Sequence, residues 1–350
     1  MRFPLIVLVV FSHVLSFDLE PINFSFSANN LYHFISEMIS HVIGRIPVSC
    51  FFLFSGYFFF RYLKEWSLKI YKSRLLKRVR GILVPYLLWN VAMIVAIVVK
   101  NYLFSVVGIG NTEELAFLKS SSVYALLWEM PINFPLWFMR DLLCMSVIAP
   151  VIYLFFKYTK IYGLAALVIF YVFSGWETGV PGFSMRAIVF FGAGACFGIH
   201  KKNMLQIFSG INHFSVIAAI VLMFIATYFT ATDYYEIFRR LFTIFGVAAI
   251  FNVMNKVVDS ERNLSALLKL SKTVFFIYVA HSIYVMGWVK GAFYRTPLAD
   301  SGIGMLIAYF LIPVTVILIL IFIERLWRQF SPKSLSFFMG GRVNSKPKSL

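Results

Sequence analysis

Carboxylates are scarce in this chain. Its 15 Asp and Glu stand against 32 Lys and Arg, and charged residues of both signs make up only 13% of the 350 residues. So little charge, with 60% hydrophobic residues and a mean hydropathy of +0.82, excludes a soluble globular protein and a disordered one. Cysteine is also sparse. Cys50, Cys144 and Cys196 each lie inside an apolar run with no paired spacing, which excludes a disulfide framework and a metal-type cluster. They read as buried small hydrophobes.

What is present in quantity is aromatic and aliphatic. The 40 Phe and 18 Tyr suit lipid-facing and interfacial surfaces. The chain therefore reads as an all-α, polytopic membrane helix bundle with no second, soluble domain. Apolar runs set against their punctuation give about ten transmembrane helices, at 3–17, 41–60, 82–101, 136–156, 161–176, 185–200, 211–230, 239–255, 273–290 and 303–323. With Arg2 placed inside, most Lys and Arg fall in alternate loops, including 61–80, 256–272 and the C-terminal stretch. That alternation predicts both termini in the cytoplasm. Residues 1–330 form one transmembrane domain, and 331–350, with Lys333, Arg342, Lys346 and Lys348, form a basic, disordered cytoplasmic tail. The net charge of +17 is thus a topology signal and an attraction to anionic membrane lipid, and no nucleic acid is expected as a partner.

The opening run, RFPLIVLVVFSH at 2–13, carries a cation at one end and an imidazole at the other. Eleven steps are about three full helical turns, so Arg2 and His13 share one face, roughly 16 Å apart along the axis. One then sits at a membrane surface and the other near mid-bilayer, where an ionisable group marks a functional site. A signal peptide is excluded because no small-x-small cleavage site follows; Asp18, Glu20 and Pro21 come next. The run 3–17 is short of the roughly twenty residues needed to span. The helix is therefore expected to continue past Asp18, to sit in a thinned bilayer, or to start upstream.

Other polar residues fall into groups. The loop 18–40, with Asp18, Glu20, Asn23, Asn29, Asn30, His33 and Glu37, reads equally as a carbohydrate contact and as a solvated connector. FFLFSGY at 51–57 and FGAGACFG at 191–198 carry small residues that let helices approach closely. Residues 61–80 hold the densest basic cluster: Arg61, Lys64, Lys69, Lys72, Arg74, Lys77, Arg78 and Arg80 against Glu65. Its interleaved Tyr, Trp and Leu make it amphipathic, fit to lie in the interface. It reads as a topogenic, lipid-binding loop and as a site for a polyphosphorylated ligand, two readings that hold together. Arg140 and Asp141, inside PLWFMRDLL at 135–143, must face the bundle interior or a cavity. His281 lies inside a span, where a lone histidine is more often structural than catalytic.

Taken in order, these motifs resemble the acyltransferase-3 family of bacterial integral-membrane O-acyltransferases. Arg2 and His13 resemble the family's Arg, ten residues, His signature on its first helix. FFLFSGY at 51–57, KRVRGILVPY at 77–86, PLWFMRDLL at 135–143 and IYVAH at 277–281 resemble its later landmarks. The resemblance implies transfer of an acyl group, acetyl by default, from cytoplasmic acyl-CoA to a hydroxyl of a surface polysaccharide, lipid-linked sugar or related acceptor, in the plasma (inner) membrane. Acetyl-CoA enters as donor substrate and no tightly bound cofactor or metal is expected. On this reading His13 is the general base, Arg2 holds the donor or positions the helix, Arg140 stabilises the oxyanion, and Arg74, Lys77, Arg78 and Arg80 bind the donor's phosphates. A transporter or flippase of a sugar or lipid-linked sugar is the alternative; a non-catalytic scaffold is a third.

Overall fold

A computed structural model describes residues 1–15, 19–63, 65–106, 108, 112–258 and 261–342. Asp18 and Lys64, with Lys346 and Lys348 of the tail, lie outside the described residues. Within them the chain is all helix and turn, without a strand. The helices are α1 (Arg2–Phe11), α2 (Ala28–Glu37), α3 (Ile46–Phe60), α4 (Leu68–Arg78), α5 (Val84–Ser105), α6 (Thr112–Ser120), α7 (Trp137–Val147), α8 (Ala149–Phe173) and α9 (Met185–Ile199). They continue as α10 (Met204–Ser209), α11 (Asn212–Tyr228), α12 (Tyr235–Val258), α13 (Glu261–Leu270), α14 (Val274–Ala280), α15 (Val285–Tyr294), α16 (Gly302–Phe330) and α17 (Pro332–Phe338). π-Helical turns at Met38–Val42 and Val79–Leu83 join α2 towards α3 and α4 to α5.

Each expected hydrophobic run overlaps a helix, but the runs are not ten uniform rods. Five stretches are long and apolar enough to cross a membrane unaided: Ala28–Phe60, Leu68–Ser105, Ala149–Phe173, Tyr235–Val257 and Gly302–Phe330. A sixth arises if α14 and α15, bent by 70° at their junction, count as one broken span. Arg2–Phe11, Met185–Ile199 and His213–Tyr228 are shorter apolar helices. The boundary expected near 157–160 appears as a non-helical residue, Lys160 (φ 51°, ψ −135°), inside α8.

Two glycine sets hold the centre together. A Cβ on Gly56 of α3 would fall 2.0 Å from the Phe191 carbonyl oxygen of α9, and one on Gly194 would fall 2.0 Å from the Leu53 carbonyl oxygen. The two backbones touch, which is what small residues in membrane helices permit. The sequence expectation for FFLFSGY and FGAGACFG therefore holds. α1 buries Leu5, Ile6, Val9 and Val10, an i, i+1, i+4, i+5 stripe on one helical face, and packs among α3, α14 and α16.

Two expectations are corrected. The helix of the opening run stops at Phe11 rather than continuing to residue 17. The reason is local: the Ser12 hydroxyl donates to the Val9 carbonyl at 2.8 Å, and the Ser40 hydroxyl donates to the Phe11 carbonyl at 2.9 Å. Side chains thus take acceptors that further helical N–H groups would need. The C-terminal stretch is not wholly a free tail. α17 buries Leu335, the adjoining Met339 is buried, and Trp89 of α5 donates its indole N–H to the Phe338 carbonyl at 3.1 Å. Apolar side chains at 335, 338 and 339 supply the burial that a disordered end lacks.

Candidate active site

His13 stands two residues beyond the end of α1. Its Nδ1 lies 2.8 Å from the Val9 carbonyl oxygen. A carbonyl can only accept, so Nδ1 carries the hydrogen and Nε2 is the basic nitrogen of the neutral ring. Its ring meets that of His281 edge to face, with centroids 4.9 Å apart and planes at 77°. His281 is fully buried at the C-terminal end of α14. Its Nδ1 lies 2.8 Å from the Tyr278 carbonyl and 3.0 Å from the Ile277 carbonyl, so it too is an Nδ1–H tautomer. Among the described residues its Nε2 has no hydrogen-bond partner. Two imidazoles with the same tautomer thus meet in the bundle.

His281 stands at the break between α14 and α15. Tyr284 takes a left-handed conformation (φ 57°) there. Asn133 fastens the break from the neighbouring turn: its amide donates to the Val279 carbonyl at 2.9 Å and its Oδ1 accepts from the Ser282 hydroxyl at 2.8 Å. Beyond it, Tyr284 donates to Glu114 at 3.1 Å, and the Lys100 ammonium sits 2.5 Å from the same carboxylate and 4.5 Å from the Tyr284 ring centroid. Burial pushes the Glu114 carboxyl up, but hydrogen bonds from Lys100, Asn101 and Tyr284 outweigh it and hold the group below the ordinary carboxylate value.

At the other end of α1 the side chains are cations. Arg74 and Arg78 place their guanidinium groups 5.7 Å from the Phe59 ring centroid. Arg78 also donates to the Ser55 carbonyl at 3.4 Å. Lys77, Arg80 and Arg2 are exposed. Among the described residues, none of Arg2, Arg74, Lys77, Arg78 and Arg80 has a carboxylate within 4.0 Å. Arg342 joins them: it donates to the Gly81 carbonyl at 2.6 Å, lies 3.8 Å from the Phe275 ring centroid, and is within electrostatic reach of Arg2 and Arg78. The arrangement is a field of guanidinium groups at the mouth of α1, suited to phosphate.

Arg140, the expected oxyanion stabiliser, is largely engaged within the protein. Four of its five N–H groups are spent, on the Trp128 and Glu129 carbonyls (2.6 and 2.7 Å) and on Asp141 Oδ1 (3.1 and 3.0 Å). Asp141 Oδ2 in turn accepts from the Ser184 backbone N–H at 3.3 Å. The pair does face the bundle interior, as a clamp between the 128–129 turn and the start of α9. Sequence reasoning also passed over two residues. His281 was weighed as structural, and only the fold, which brings it onto His13, changes its weight. Arg342 was assigned to a free tail, although LSFFMG before it carries the apolar residues that dock it.

Comparison with known proteins identifies the family. A family model for the acyltransferase domain of the acyltransferase-3 type matches residues 1–324. The chain is 26% identical over 361 residues to the succinoglycan biosynthesis protein ExoH of Rhizobium meliloti (strain 1021), covering 99% of this chain and 92% of that protein. No solved structure matches the chain. With the family match running through nearly the whole described bundle, the chain belongs to the acyltransferase-3 family and is a membrane acyltransferase.

Proposed function

We propose that this protein moves an acyl group, acetyl in the simplest case, from cytoplasmic acyl-CoA to a hydroxyl of a polysaccharide or lipid-linked sugar at the plasma membrane. The observation that supports it most is the polarity of α1: a cluster of guanidinium groups at the Arg2 end, of which Arg2, Arg74 and Arg78 have no carboxylate within 4.0 Å among the described residues, and two Nδ1-anchored imidazoles at the His13 end. The polysaccharide acceptor draws on the likeness to a succinoglycan biosynthesis protein.

In this reading the donor's phosphates lie against Arg2, Arg74, Arg78 and Arg342, with Lys77 and Arg80 adding charge, and the thioester reaches along α1 towards His13. His13 Nε2 takes the proton of the acceptor hydroxyl as its oxygen attacks the thioester carbonyl. The Nδ1–H bond to Val9 fixes the tautomer and spreads the positive charge that forms. The tetrahedral oxyanion collapses, the C–S bond breaks, and the leaving thiolate takes the proton back from the imidazolium. His281 acts as a positioning residue for the His13 ring. Lys290 of α15 is half-buried within electrostatic reach of His13. In this reading it joins Arg140 as a cation able to stabilise the oxyanion.

The test is transfer of label from radiolabelled acetyl-CoA to an oligosaccharide acceptor by the protein in nanodiscs. Transfer by the parent chain and none by His13→Ala, with the variant folded and monodisperse, is the expected result. Undiminished transfer by His13→Ala removes the base from the mechanism. No transfer by the parent, with either acetyl-CoA or succinyl-CoA, removes the reading. Replacing His281 with Gln is expected to shift the pH profile of kcat while leaving the KM for acyl-CoA unchanged.

A further inference from the structure

The end of the bundle that carries His13 holds a second concentration of arginine, which the proposed chemistry does not use. Arg45 lies in the 3-10 turn Ile43–Arg45 before α3, Arg186 in the first turn of α9, and Arg239 and Arg240 near the start of α12. All four are buried or half-buried. Three carboxylates are near them, and each is already engaged. Glu236 pairs with Arg239 and, at 3.5 Å, with Arg240. Glu177 pairs with Arg240 at 3.2 Å and accepts from the Met185 backbone N–H at 3.2 Å. Glu37, within electrostatic reach of Tyr235, pairs with His41 at 2.6 Å.

Arg45 and Arg186 are left over. Neither has a carboxylate within 4.0 Å among the described residues, although each is within electrostatic reach of Arg239 and they are within reach of each other. Arg186 lies over Trp137 at 5.9 Å from the ring centroid, and its Nε is buried without a hydrogen-bond partner. The Tyr235 hydroxyl is buried in the field of both Arg45 and Arg239 and interacts with Arg239. Glu236 is within electrostatic reach of Arg45 and Arg186, and Glu177 of Arg186, but both carboxylates are held in ion pairs with Arg239 and Arg240. Guanidinium groups withdrawn from water with only shared counter-charge cost free energy that an anion of matching geometry would recover.

Position identifies which molecule carries that anion. Gly44, the residue before Arg45, packs directly on the turn that holds His13: a Cβ there would fall 2.7 Å from the Ser12 Cβ. The donor's phosphates belong at the opposite end of α1. We infer that Arg45, Arg186 and the Tyr235 hydroxyl form a subsite for an oxyanion group, carboxylate or phosphate, carried by the acceptor whose hydroxyl meets His13. Guanidinium groups take either oxyanion in paired hydrogen bonds. This inference rests on the acyl-transfer reading for the role of the bound molecule, though not for its binding.

The experiment measures equilibrium binding to the protein in nanodiscs, without acyl-CoA. Three probes are compared: a uronic-acid-containing oligosaccharide, the same oligosaccharide with its carboxyl reduced to the alcohol, and a polyprenyl-diphosphate-linked sugar. At least one acidic probe is expected to bind about tenfold or more tighter than the neutral one, as charged hydrogen bonds provide. That difference should vanish in Arg186→Gln and Arg45→Gln and persist in part in Arg186→Lys, with acyl-CoA binding unchanged in all three. Preference for the uronate alone places the anion on the polymer, and preference for the diphosphate alone places it on the lipid carrier. Equal binding of all three probes by the parent chain overturns the subsite, as does an acidic preference that survives in the Arg45→Gln, Arg186→Gln double variant. If a variant fails to fold, the parent's own three-probe comparison still decides. A parent chain that binds the acidic probe but transfers no acyl group would defeat the catalytic reading and leave the subsite standing; one that transfers without acidic preference would do the reverse.

Discussion

At the Arg2 end of α1 the working side chains are exposed or half-buried and lean on rings, Phe59 beneath Arg74 and Arg78, Phe275 beneath Arg342. At the His13 end they are uncharged rings fixed by backbone carbonyls, with His281 fully buried. The first end keeps its charges near water, where cations are cheap and a phosphate can reach them. On the proposed reading the second must keep a base neutral until a proton is offered, which a ring with one nitrogen fixed and the other left basic allows. In that reading, binding and chemistry are separated by the length of α1, about 14 Å at 1.5 Å per residue. Substitutions should sort cleanly into those that change affinity and those that change rate.

The largest effect is expected at the base. His13→Ala should lower kcat by about a hundredfold to ten-thousandfold, the usual range for a positioned general base, with the KM for acyl-CoA little changed. A large rise in that KM would break the separation. Lys290→Met should follow, with kcat down about a hundredfold or more if it faces the oxyanion and donor affinity retained. An unaltered kcat would return the oxyanion role to some other group. Arg78→Ala should show the opposite pattern, raising the KM for acyl-CoA about tenfold through loss of a charged hydrogen bond and leaving kcat within a few-fold. A salt titration should weaken donor binding in the parent more than in this variant.

The smallest effect concerns the broken span. Glu114 is held below its ordinary pKa by Lys100, Asn101 and Tyr284. A group so depressed contributes stability that is fully present above its unfolded-state pKa and is lost as pH falls through its folded one. Thermal stability should therefore fall at acidic pH in the parent and fall less in Glu114→Gln. An identical pH response in the two would show that this network does not secure the α14–α15 junction.

Residue type and spacing made the fold class legible, because apolar runs and glycine pairs report local requirements. Gly56 and Gly194 sit where two backbones touch, and no other residue fits. The Arg2–His13 spacing was legible for the same reason. The end of α1 was not, because Ser12 and Ser40 stop it through hydrogen bonds, one of them from a segment far along the chain. The same holds for the site. His281 becomes a candidate site residue only because α14 packs on α1 and sets it against a ring 268 positions earlier. For Arg140 the burial was legible, because a charge inside an apolar helix announces it, but its partners at 128 and 129 are backbone carbonyls, which carry no sequence signature.

The contact between α3 and α9 has a mechanical consequence. Helices whose main chains meet at Gly56 and Gly194 cannot slide or roll past one another without collision, so they form a chassis. Whatever motion admits a donor and releases a product has to occur in the parts hung on that chassis, α1 and the hinged α14–α15 pair. A crosslink tying α3 to α9 should therefore leave turnover intact, whereas one tying α1 to α14 should stop the cycle between one acyl group and the next.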